Sequence, residues 1–174
     1  MNLALLGFLM VATFMTLIMT RRMTPLVALI IIPSLFGVIA GQAAGLGDMV
    51  QVDSAGTGDW HVGDPPDPRA IATARGHGVD IARLRGRQLA DADFGRFDWL
   101  LCADHANLRD VRSRAPSGAR ARSALLTEWA GMSGAVPDPY TGGAAEFERA
   151  WRMVDDAAVA ATDRLRTALH ARGA

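Results

Sequence analysis

Two uncharged apolar runs open the chain, over residues 3–19 and 25–47, separated only by a short stretch containing Arg21 and Arg22. Crossing the hydrocarbon core takes about 20 apolar residues, roughly 17 at the short end. Both runs are long enough, so the pattern predicts an all-α transmembrane hairpin. In the second run Gly37, Gly41 and Gly45 recur every four residues. That lines one helix face with bare backbone and lets another helix approach closely, while Pro33 predicts a kink. The competing reading is a cleaved targeting signal, with the arginines as its basic region and Val38-Ile39-Ala40 as its cleavage site. The long apolar run ahead of the arginines weighs against it.

From Met49 onward short apolar runs alternate with helical ones, the pattern of a parallel α/β domain. "MVQVDSAGT" begins as a strand, "DWLLCAD" reads as a continuous buried one, and "RSALLTEW" is a third. The turn-rich "GDWHVGDPPDP" leads into a helix over residues 68–76, with Pro68 in its first turn. A second helix is expected over 105–115, with Asp104 as N-cap and Pro116-Ser117-Gly118 as its stop. Residues 144–171 carry Phe147, Trp151, Val154, Ala158, Ala161, Leu165 and Leu169 at spacings of three and four, one long amphipathic helix. Three strands and three helices are few for a fully covered parallel sheet, so the expected fold is an incomplete three-layer α/β domain over residues 48–174, preceded by the hairpin over 1–47.

Composition sharpens that division. Residues 1–47 hold two charged side chains, and the rest of the 18 basic residues, every one arginine, share the remainder with all 18 acids. No overall positive field attracts nucleic acid without regard to sequence, so nucleic-acid binding is not expected. The four histidines, His61, His77, His105 and His170, lack ligand spacing, and no metal is expected. Cys102 is the only cysteine, which rules out an internal disulfide.

Three blocks, "VDSAGTGDWHVGDPPDPRA", "FDWLLCADHANLRDV" and "VPDPYTGG" followed by a long terminal helix, resemble the low-molecular-weight protein tyrosine phosphatases in order and spacing. The resemblance implies a parallel sheet flanked by helices and hydrolysis of phosphotyrosine, on a protein or a small aryl phosphate, through a phosphocysteine, without cofactor or metal. It implies that Asp138, held between Pro137 and Pro139, is the general acid that protonates the leaving phenolate. It places Trp60 and Tyr140 as aromatic walls of the substrate site, and Ser54, Asp104 and Asn107 as supports beneath the phosphate-binding loop. In the family that loop, "CxxxxxR", precedes the block that begins here at Val50.

Cys102 does not supply it. The position where the motif needs arginine holds Leu108, and Arg109 comes one residue late, about 100° away around a helix. By resemblance "FDWLLCAD" is a non-catalytic strand, and Cys102 is expected to be a small buried packing residue. In "DIARLRGRQL" Leu84 and Gly86 also depart from the family pattern. The expectation is therefore an impaired phosphatase domain lacking nucleophile and phosphate-binding arginine.

Roughly the first 49 residues are similar to the beginning of a citrate transporter of the citrate–metal:proton symporter type. Two spans cannot build a transport site assembled from repeated halves. The hairpin predicts a membrane location through residues 3–45. Arg21 and Arg22 favour a cytoplasmic connection between the spans, which conflicts with the cytosolic setting of the phosphatase family.

Overall fold

The computed structural model of the protein describes residues 50–173. The expected membrane hairpin over 3–45 lies outside the described residues, as do the side chains of Leu169 and His170. Among the described residues no helix is long and apolar enough to cross a membrane.

Strand β1, Trp99–Cys102, pairs in parallel with β2, Arg122–Leu125, with Trp99 opposite Arg122 and Cys102 opposite Leu125. The crossover is helix α3, His105–Arg114; two shorter helices, α1, Pro68–Gly76, and α2, Asp93–Arg96, precede β1. After β2 come a single-turn helix α4, Leu126–Trp129, and the 30-residue α5, Ala144–Gly173.

Successive side chains of a strand point to opposite faces, and both faces here are covered. Leu100, Cys102 and Leu125 pack with Phe94, Leu108 and Val111, on the side of α2 and α3. Trp99, Leu101 and Ala124 pack with Trp129, Ala158 and Ala161, on the side of α4 and α5. That two-sided burial explains why "WLLC" is apolar without alternation, and it makes three layers.

The helix ends follow their sequence signals. Asp67 caps α1, its Oδ1 accepting the Arg69 N–H at 2.7 Å, and Pro68 occupies the first turn. Asp104 caps α3 by accepting the Asn107 N–H at 2.8 Å. The inward stripe expected on α5 is buried at Phe147, Trp151, Val154, Ala158 and Ala161, and Ala70 and Ala74 of α1 pack against its first half. His77, just beyond α1, stacks on Trp151 with ring centroids 4.8 Å apart, and its Nε2 lies 3.0 Å from Glu148.

Two strand expectations are corrected. Val50–Ala55 is not a strand: among the described residues no neighbouring strand ladders with it, and the nearest pairing is a single parallel bridge from Gly56 to Gln88. Extended backbone becomes a strand only where its N–H and C=O groups find a ladder. The third strand stops at Leu125, because residues 126–129 turn into α4 and bury Leu126, Thr127 and Trp129 together. Thr127 Oγ1 donates to the Gly134 carbonyl, which fixes that turn.

Candidate functional site

The loop after α4 is drawn across the C-terminal end of β1, where the Val136 N–H donates to the Ala103 carbonyl at 2.9 Å. This bond brings Pro137-Asp138-Pro139 beside Asp104, the cap of α3. Both prolines fix φ, and Pro139 is buried while Asp138 and Tyr140 stay exposed. Asp138 Oδ1 accepts the Tyr140 N–H at 2.9 Å. Partial loss of water pushes the Asp138 carboxyl above the usual carboxylate range; the Tyr140 N–H opposes this, and the charge of Asp104 adds to it. A carboxyl that keeps its proton to higher pH is chemically suited to donate one.

Tyr140 is held from behind by Arg69, whose Nη1 donates to the carbonyl oxygens of Tyr140 at 3.1 Å and Gly142 at 3.0 Å. No motif along the chain marks Arg69, because its partners lie 71 and 73 residues away. The adjacent cap residue Asp67 was the one local sign of an organised arginine.

Trp60 stands on a separate loop and is 58% exposed. The loop is pinned by paired main-chain bonds, Gly63 N–H to Gly86 O at 2.9 Å and Gly86 N–H to Asp64 O at 2.9 Å. The departure from the family pattern at Gly86 has a steric reason, since a Cβ there would sit 2.5 Å from the His61 carbonyl oxygen. Similarly, a Cβ on Gly58 would fall 2.4 Å from the Trp60 ring, so only glycine lets the indole fold back over the loop.

The supporting residues are split. Asp104 faces Asp138, whereas Ser54 and Asn107 border a cavity of about 890 Å³ that runs between residues 50–57 and β1. Ser54 N–H donates to Asp53 at 2.7 Å, and Asp53 in turn meets Arg87 at 3.1 Å. Asn107 is buried. Asp138, Tyr140 and Trp60 lie outside the walls of that cavity.

Cys102 is 5% exposed among Leu89, Phe94, Leu108, Val111 and Leu125. Burial pushes its thiol pKa up to about 12, the Asp104 charge adds to the rise, and Arg112 opposes it. Its Sγ donates to the Leu100 carbonyl at 3.8 Å. The packing role expected for Cys102 is the one it has. Leu108 is buried beside it, while Arg109 is exposed on the outer side of α3. Among the described residues no three His, Cys, Asp or Glu side chains gather as metal ligands.

The family described as low molecular weight phosphotyrosine protein phosphatase matches residues 35–171. A Streptomyces coelicolor low molecular weight protein-tyrosine-phosphatase is 38% identical over 140 residues, covering 76% of this chain and 84% of that protein. The Schizosaccharomyces pombe phosphatase of the same description is 42% identical over 98 residues, which is 55% of this chain. The chain spans only 62% of the length of that relative. A protein tyrosine phosphatase structure from Entamoeba histolytica superposes with a TM-score of 0.73, covering 79% of this chain and 88% of its own; at 24% identity it speaks to the fold alone. The matched region begins at residue 35, so it overlaps the second apolar run. The chain belongs to the low molecular weight phosphotyrosine protein phosphatase family.

Proposed function

We propose that this chain is a low-molecular-weight protein-tyrosine-phosphatase-like domain, with Trp60 and Tyr140 as aromatic walls and Asp138 as the acid of a site for phosphotyrosine or a small aryl phosphate, whose hydrolysis is impaired because no phosphocysteine can form. Ser54, Asp104 and Asn107 are the supports of a phosphate loop whose "CxxxxxR" signature occurs nowhere in the chain. The observation that carries the reading is Cys102. The thiolate is the nucleophile, and a thiol with a pKa of about 12 is ionised at pH 7 in only about one molecule in 10⁵. Phosphoryl transfer also needs main-chain N–H groups and a guanidinium aimed at the phosphate, and Leu108 stands where the arginine belongs.

The test is p-nitrophenyl phosphate turnover by the purified full chain, with Asp138→Ala alongside and mass spectrometry of acid-quenched protein. The expected result is no Asp138-dependent turnover and no phosphorylated thiol. Turnover that falls on substituting Asp138 would overturn the proposal.

The exposure of Trp60 favours a second reading within the same family, a non-catalytic binding module, because a large indole lying half-exposed across a pinned loop is suited to recognition. Calorimetry with a phosphotyrosine peptide separates the two: saturable binding without turnover is its signature. In either reading the domain, from residue 48, is tethered to a membrane by residues 3–45, a proposal supported by the apolar runs. A reporter-fusion topology assay that finds the chain wholly soluble would remove the tether. The likeness of residues 1–49 to a citrate transporter supports a composite reading frame, and sequencing the transcript across Gly45 to Asp53 decides it.

A further inference from the structure

Arg69 is the second residue of α1, and its guanidinium is fixed from several directions. Nε and Nη2 donate to Asp67, at 3.1 Å to Oδ1 and 2.8 Å to Oδ2. Nη1 donates to the carbonyls of Tyr140 and Gly142. The guanidinium carbon lies 4.5 Å from the centroid of the fully buried Phe147 ring and 5.5 Å from that of Tyr140. The Asp67 carboxyl is held below its ordinary pKa, with the Arg69 hydrogen bond as the largest cause.

An exposed ion pair contributes little to stability. A planar fork that engages a carboxylate bidentately does, however, fix an orientation, and a flexible ammonium does not. Asp67 ends the segment that carries Trp60, whereas Tyr140 and Gly142 belong to the loop that carries Asp138. One side chain therefore spans the two loops named for substrate recognition.

We propose that Arg69, locked by Asp67, is the positioning residue that sets the orientation of the Tyr140 ring and thereby the affinity for aryl phosphates. The affinity part rests on the proposed function; the orientation part does not.

Tyr140 is the only tyrosine in the chain, so the full chain made with 3-fluorotyrosine gives a single ¹⁹F resonance. In Arg69→Met that line should move toward the free amino acid's position and narrow. Arg69→Lys should fall between, since one point charge cannot serve Asp67 and two carbonyls together. Phenylphosphonate, a non-hydrolysable aryl anion, should bind the Met variant about tenfold more weakly, the loss expected when a cation–π and hydrogen-bonded anchor is removed. An unmoved line in a folded Arg69→Met chain overturns the orientation. Should that variant not fold, Asp67→Asn serves, with a smaller shift in the same direction expected and no shift overturning the proposal. If the line moves on substitution but phenylphosphonate leaves the parent chain unchanged, the affinity part and the proposed ligand fall while the positioning of Tyr140 stands.

Discussion

Asp104 lies near enough to Asp138 for its negative charge to raise the pKa of the Asp138 carboxyl, adding to the rise caused by burial. Asp104 also caps α3 through the Asn107 N–H, so one side chain ends a helix and tunes a neighbour.

Asp104→Asn separates those two duties, because asparagine caps a helix about as well as aspartate yet carries no charge. The substitution should lower the Asp138 pKa without moving the thermal midpoint by more than a few degrees. Carboxyl ¹³C titration reads the first and calorimetry the second. Burial remains as the larger cause, so the value should stay above 3.8.

The sign of the pH dependence follows from proton linkage. With its folded pKa above 3.8, Asp138 binds protons more readily folded than unfolded. Its contribution to stability therefore falls as pH rises from 3.8 through the folded value. Asp138→Asn should be more stable than the parent at pH 7 and no more stable at pH 3. Urea denaturation at the two pH values checks this, and equal differences at both would refute it.

Asp93 has the opposite sign. Burial alone would raise its pKa, but hydrogen bonds from Arg87, at 2.8 Å, and from the Ala90 N–H, at 2.9 Å, with the charges of Arg87 and Arg96, bring it below 3.8. The stability it confers is full above pH 3.8 and is lost as pH falls through the depressed value. Asp93→Ala should cost about 2 kcal/mol at pH 7, the worth of charge-assisted hydrogen bonds at a mostly buried site. The difference from the parent should shrink below pH 3.

A thiol at about pKa 12 inside an apolar cluster should be inert. Ellman's reagent at pH 7.5 should leave the native full chain unlabelled and label Cys102 rapidly in 6 M guanidinium chloride. Native labelling at the rate of a free thiol would contradict the burial.

Phe147 is fully buried where α5 meets α1. Phe147→Ala should destabilise by about 3 to 5 kcal/mol, the usual cost of a large cavity, read from urea midpoints.

Much of this fold was legible locally. Pro68, Asp104 and the three-and-four spacing from Phe147 to Ala161 marked three helices because first-turn prolines, capping and helical periodicity need only near neighbours. In the candidate site, Cys102 was legible as a packing residue from its apolar strand and from Leu108 where an arginine was required. Trp60 and Gly86 stand out in the sequence, but the steric need for glycine at 86 does not, since the obstructing carbonyl belongs to His61.

The amino-acid sequence by itself determined the three longer helices, the family and the lack of a "CxxxxxR" signature, since each is written in residues near one another along the chain. Only the tertiary structure decided that residues 50–55 form no strand, that Arg69 reaches Tyr140, and that Asp104 lifts the pKa of Asp138. A ladder, a clamp and a Coulomb interaction depend on separation through space, and composition along the chain does not carry that distance.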